Sequence, residues 1–100
     1  MRVIRLFCAG GMSTSLLVNK MKDYAKTIGY DCDIVAYGVA DFVNEAPAAD
    51  CILLGPQVGY KKAEFAAKFP EKPLAVIDMR QYGMMDGKAV LETAKKMLGD

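Results

Sequence analysis

The residue best equipped for covalent chemistry in this chain is Cys8. It ends an apolar run and is followed by Ala9-Gly10-Gly11-Met12-Ser13-Thr14-Ser15, a stretch with no Lys, Arg or His. A thiolate is a strong nucleophile. In a glycine-rich loop that opens a helix, backbone N–H groups can converge on an anion, and the helix dipole adds partial positive charge. Gly10 and Gly11 let the backbone turn tightly and approach a bound group. Ser13, Thr14 and Ser15 add neutral hydroxyl donors. The same field favours a thiolate at Cys8. Spacing alone leaves a plainer possibility open, with Cys8 as a small buried hydrophobe and the loop as a turn with a helix cap.

Generic nucleotide motifs are absent. There is no GxGxxG fingerprint and no P-loop ending in Gly-Lys-Ser/Thr, and no acidic pair follows the first apolar run. The nearest strong pattern is the cysteine phosphatase loop, C-x5-R followed by Ser or Thr. Cys8 matches its cysteine and Ser15 its hydroxyl residue, but Thr14 stands where the arginine belongs. That arginine would clamp a phosphate bidentately and stabilise the transition state. Without it, amides and hydroxyls could hold a phosphoryl group, but hydrolysis would be poorly supported. The pattern suits a relay, in which a thiophosphate is handed to another acceptor.

The elements that must position this loop follow from hydrophobic pattern. Residues 2–7, 32–37, 51–54 and 73–78 read as four strands. Ser13 is placed to cap a first helix whose buried stripe is Leu17, Met21, Tyr24, Ala25 and Ile28, with Gly29 as its stop. A short helix is expected over 40–45, before Pro47. Another runs from Pro56 to about Phe69 and is buried through Val58, Phe65, Ala66 and Phe69. A last helix is capped by Asp86, with Val90, Leu91, Ala94, Met97 and Leu98 inward. Apolar strands alternating with helices indicate an α/β fold, a four-stranded parallel sheet covered on both faces. Ligands in such sheets bind at carboxyl ends of strands, where the winding reverses. The segments 8–15, 55–60 and 78–83 should therefore share one edge. Cys32 and Cys51 begin strands at the opposite edge and read as core residues.

Composition narrows the function further. The chain has 100 residues, 53% of them apolar and 25% charged, so one real core is affordable without staples. A net charge of +1 with dispersed Lys and Arg argues against nucleic acid as a partner. No stretch approaches the ~20 apolar residues of a membrane span, so no direct membrane insertion is expected, and the pattern predicts a soluble, cytoplasmic protein. Three cysteines without CxxC spacing fit a reducing compartment. The absence of histidine excludes mixed Cys/His zinc sites and any Cys-His or Ser-His couple within the chain. No metal or cofactor is called for.

Taken together, "LFCAGGMSTSLLVNKM", "ILLGPQVGY" and "VIDMRQYGMMDG" closely resemble, in order, segments of one family: the IIB component of the lactose/cellobiose (chitobiose) class of the bacterial phosphoenolpyruvate-dependent sugar phosphotransferase system. The resemblance spans essentially the whole chain and implies a single IIB domain over 1–100. It implies a strand order of 2-1-3-4, similar to low-molecular-weight tyrosine phosphatases. It further implies that Cys8 accepts a phosphoryl group from a phosphohistidine of a IIA protein and passes it to a sugar bound by the membrane IIC permease. Ala9 to Ser15 match the phosphate-holding loop. A monomer docking transiently on IIC at the inner membrane face is the default for such a relay.

Three further residues are weaker candidates. Asp78, where the related phosphatases carry a general acid, and Tyr82 are candidate docking residues, against plain loop and helix-start structure. Gln57 is a candidate hydrogen-bond donor near the loop. Met12, Met79, Met84 and Met85 could form an adaptable apolar contact or fill the core. The rival functions are a phosphatase or arsenate-reductase-like enzyme on the same fold, and a non-catalytic binding module.

Overall fold

A computed structural model describes residues 1–9 and 12–100, Met12 and Ser13 by their backbone alone. Four parallel strands, β1 (Arg2–Cys8), β2 (Cys32–Gly38), β3 (Cys51–Leu54) and β4 (Leu74–Val76), form one sheet in the order β2-β1-β3-β4. The expected class and order are thus observed. β1 is central: Ile4 pairs with Ile34 on one side and Cys51 on the other, and Phe7 with Tyr37 and Leu54. The chain winds from β1 outward to β2, then crosses back to β3. The reversal falls between β1 and β3, so the crevice beyond their carboxyl ends is the natural binding place.

Each face of the sheet has its own core. On one, Ile4, Leu6, Ile34 and Leu53 pack against Leu17, Val18 and Met21 of α1 (Met12–Ile28) and Val90, Leu91 and Ala94 of α5 (Gly87–Leu98). On the other, Phe7, Ile52 and Leu54 pack against Phe42 of α2 (Phe42–Glu45) and Phe65 of α3 (Lys62–Lys68). The Phe42 and Phe65 rings stack at 3.7 Å, and Phe7 meets Phe42 edge-on at 4.9 Å. Two covered faces explain why β3 is apolar at every position and fully buried.

Helix ends follow local chemistry. Gly29 (φ +68°) stops α1 as expected, and Asp86 caps α5, its Oδ1 accepting from the Ala89 N–H at 3.1 Å. Gly87, the first residue of α5, lies so close to α1 that a Cβ there would sit 2.5 Å from the Lys20 carbonyl carbon. The close approach of the two helices needs that glycine.

Several boundaries differ from the pattern reading. α1 begins at Met12, so Ser13 lies inside its first turn rather than at the cap. Ile28 is exposed, because the stripe drifts outward past the last core contact at Ala25. β4 is three residues rather than six, although its flanks still bond β3: the Pro73 carbonyl accepts from the Ile52 N–H at 2.9 Å and the Ile77 N–H donates to the Leu54 carbonyl at 2.8 Å. The 40–45 helix is a 3-10 turn over Val39–Asp41 leading into α2, and a second 3-10 turn, Ala46–Ala48, takes in Pro47. The segment from Pro56 is 3-10 to Lys61 and α-helical only from Lys62, with non-helical backbone at Val58. Ala66 and Phe69 are half-buried rather than core. A five-residue helix, α4 (Met79–Gly83), occupies what pattern left as loop.

Candidate functional site

Cys8 is the last residue of β1, at the reversal point of the winding. It is 5% exposed, and its thiol lies 3.8 Å from the Tyr37 carbonyl oxygen of β2, to which it can donate. On the other side, β3 ends beside it: the Gly55 N–H donates to the Phe7 carbonyl at 2.8 Å. A Cβ built on Gly55 would lie 3.3 Å from Cys8 Cβ and 3.1 Å from Gln57 Oε1. Gly55 thus lets the β3 end approach Cys8 closely, with the exposed Gln57 side chain beside that glycine. Pattern reading placed Gly55 in the 55–60 segment at this edge without singling it out. Its place directly after an all-apolar strand at a carboxyl end was the available signal.

Across the edge, Thr14 sits in the first turn of α1 and is 2% exposed, the one buried polar residue among the described residues. Its Oγ1 lies 2.9 Å from the Tyr82 hydroxyl of α4. The structure therefore joins two candidates that lie far apart in sequence. Asp78 sits at the α4 N-terminus, its Oδ1 accepting from the Arg80 N–H at 2.9 Å and the Gln81 N–H at 3.1 Å. Its carboxylate is engaged as a helix cap, which accounts for this aspartate structurally. Of the three segments expected to share this edge, the described residues Cys8 and Thr14 of 8–15 meet Gly55 and Tyr82 of the other two.

The remaining candidates divide. Ala9 is exposed at the end of β1, and Ser15 is exposed on α1, where it lines a groove of about 230 Å³ with Val18, Asn19, Lys22 and Ile34–Ala36. Gly10, Gly11 and the side chains of Met12 and Ser13 lie outside the described residues. Met79 and Met84 are 74% and 70% exposed, whereas Met85 packs against the core. A cavity of about 130 Å³ lined by Leu53, Val76, Ile77, Asp78, Gln81, Val90 and Thr93 opens beside α4, but neither Cys8 nor Thr14 lines it. Among the described residues no three His, Cys, Asp or Glu side chains gather as a metal site, and no helix is long and apolar enough to cross a membrane.

The other thiols are held differently. Cys51 is fully buried at the start of β3; burial, then the nearby Asp50 carboxylate, pushes its thiol up to about 12. Cys32 is half-buried on the edge strand rather than in the core, and its thiol is raised first by burial and then by Asp31 and Asp33.

A parallel α/β sheet whose winding reverses beside a strand-ending cysteine defines a class of protein whose ligands generally bind in the crevice at that edge. Within that class, the model of the family described as "PTS system, Lactose/Cellobiose specific IIB subunit" matches residues 3–93. The chain belongs to this family of sugar phosphotransferase components. It is 42% identical over 100 residues to an oligo-beta-mannoside-specific EIIB component of Bacillus subtilis, covering 98% of this chain and 97% of that one. It is 45% identical over 104 residues to a galactose-specific EIIB component of Lactococcus lactis subsp. cremoris, covering 97% and 96%. The fold is similar to the solution structure of a cellobiose-specific IIB component from Borrelia burgdorferi, with TM-score 0.81, 31% identity and coverage of 98% and 92%.

Proposed function

We propose that the chain is a phosphoryl relay working through a phosphocysteine at Cys8. The Cys8 thiolate attacks the phosphorus of a phosphohistidine on a IIA protein. The S–P bond forms as the P–N bond breaks, and its electron pair returns to the donor imidazole. The chain has no histidine, so that imidazole comes from the partner. In the second step a hydroxyl of a sugar held by the membrane IIC protein attacks the phosphorus. The S–P bond breaks, Cys8 leaves as thiolate, and the hydroxyl proton passes to a base outside this chain. The substrate class is a β-linked disaccharide such as cellobiose, chitobiose or lactose. The names of the relatives span an oligo-beta-mannoside, galactose and cellobiose. The relay works at the cytoplasmic face of the membrane as a monomer, with IIA and IIC docking in turn.

The observation that carries this reading is the position of Cys8: the one thiol at the carboxyl edge, at the winding reversal, with Gly55 close against it. Backbone amides of 9–15 and the hydroxyls of Ser13, Thr14 and Ser15 would hold the phosphoryl oxygens. These donors are neutral, and Thr14 in place of an arginine favours release over hydrolysis. The thiol's contact with the Tyr37 carbonyl exists only in the protonated form, so phosphorylation frees the sulfur from it.

The test is incubation with phosphoenolpyruvate, the general phosphotransferase proteins and a IIA of the lactose/cellobiose class. Peptide mass spectrometry should place one phosphoryl group on Cys8 and none anywhere in Cys8→Ser. Absence of label with several such IIA proteins would falsify the assignment.

A further inference from the structure

We propose that Tyr82 is a positioning residue for phosphoryl transfer, acting through the Thr14 hydroxyl. The proposal rests on the phosphocysteine reading. Thr14 and Tyr82 lie 68 residues apart, yet their hydroxyl oxygens meet at 2.9 Å, and the Thr14 side chain is buried. Each hydroxyl carries a single proton. The bond between them consumes one and leaves the other free, whichever of the two donates. The pair is therefore an uncharged device with one proton to offer, at the position where the phosphatase loop carries an arginine.

The mount of Tyr82 suits this role. α4 is only five residues long but is fixed at both ends. Asp78 caps its first turn through Oδ1. Beyond its last turn Met85 adopts a left-handed backbone (φ +52°), and the Asp86 N–H returns to the Gln81 carbonyl at 2.9 Å. Tyr82 also packs against the core that holds α1. A Val–Phe pair of the same shape would fill this space with no hydroxyl to satisfy, so the hydroxyls serve more than packing. Asp78 then acts at one further remove, by holding α4.

The experiment compares wild type, Tyr82→Phe, Thr14→Val, Thr14→Ser and the Tyr82→Phe/Thr14→Val double variant. Phosphorylation by increasing concentrations of phosphorylated IIA is followed, and the ³¹P resonance of each phosphoprotein is recorded. Tyr82→Phe should lower the rate constant at saturating IIA about tenfold, the worth of one lost hydrogen bond. The half-saturating IIA concentration should stay within about twofold, and the ³¹P resonance should shift. Thr14→Ser should retain most of the rate. In the Thr14→Val background, Tyr82→Phe should change little, because the shared interaction is already gone. Tyr82→Phe with wild-type rate and ³¹P shift overturns the proposal. So does a change confined to half-saturation, which would make Tyr82 a docking residue, and so does a full independent effect in the Thr14→Val background. If wild type itself takes no label, the phosphocysteine reading fails and this proposal with it; a labelled wild type beside an unaffected Tyr82→Phe rejects the positioning role alone.

Discussion

The two ends of the sheet carry cysteines of opposite character. At the carboxyl end, Cys8 meets a backbone carbonyl and a glycine. At the amino end, Cys51 is sealed in the core and Cys32 is half-covered among aspartates. Charge is distributed just as unevenly. The amino end is laced by ionic contacts: Arg2 bonds the Asp100 carboxylate through Nε and a terminal nitrogen, both at 2.9 Å, and Tyr30 donates to the same carboxylate. Asp50 accepts from the Val3 N–H at 2.8 Å, and Arg5 meets Asp33 at 3.2 Å. Between Leu6 and Leu17 there is no basic or acidic side chain. Fixed charges serve where nothing has to leave. Under the proposed relay a phosphoryl group has to arrive at and depart from Cys8, where a trapped counter-charge would hold it too long and neutral donors would serve.

The sharpest way to break this comparison is to move the same change between the ends. Cys8→Ser should abolish phosphoryl labelling while leaving the urea midpoint nearly unchanged. Cys51→Ser should do the reverse: labelling per folded molecule stays normal, but a hydroxyl in a dry, apolar site costs about 2 kcal/mol in urea unfolding. Loss of label in both would erase the distinction.

A smaller effect is expected at Gly55. Its backbone is ordinary (φ −62°, ψ 151°), so Gly55→Ala brings no torsional strain. The added methyl would press on Cys8 Cβ and Gln57 Oε1. Transfer should slow by about tenfold with stability changed by no more than about 1 kcal/mol, read from labelling kinetics and urea unfolding.

The smallest effect is at the amino end and depends on pH. The hydrogen bond from Arg2, then that from Tyr30, holds the Asp100 carboxyl below the usual range. A carboxyl depressed in the folded state contributes stability above its unfolded value of about 3.9, and loses it as pH falls below that. The melting temperature of the wild type should therefore decline as pH drops from about 4, and Asp100→Asn should decline less steeply over the same range. The group is exposed, so the difference will be small and will shrink with added salt.

Much of this was legible in the chain. Four strands could be read because covered parallel strands are runs of apolar residues, as in Cys51–Leu54. The first loop could be proposed as a site because cysteine, glycines and hydroxyls are adjacent in sequence. What escaped is what depends on distant partners. α4 is too short to show a helical period, and residue type alone left Asp78 open between a docking residue and the helix start that it proves to cap. The Thr14–Tyr82 bond joins segments that only the β1–β3 reversal and the docking of α4 bring together. The closeness of Gly55 to Cys8, and of Gly87 to α1, are matters of interatomic distance that residue type alone does not carry. Ile28 fit the stripe by spacing, but the helix outruns the core beneath it.

The central claim is that Cys8 holds a phosphoryl group for transfer rather than for hydrolysis. The direct measurement is to isolate the phosphoprotein, add it to membrane vesicles bearing a lactose/cellobiose-class IIC and a β-linked disaccharide, and follow the label. Sugar phosphate should appear as the label leaves Cys8, with little inorganic phosphate, and aryl phosphate should not be turned over. Release of the label as inorganic phosphate without sugar phosphate, together with substantial aryl phosphate turnover, would contradict the account.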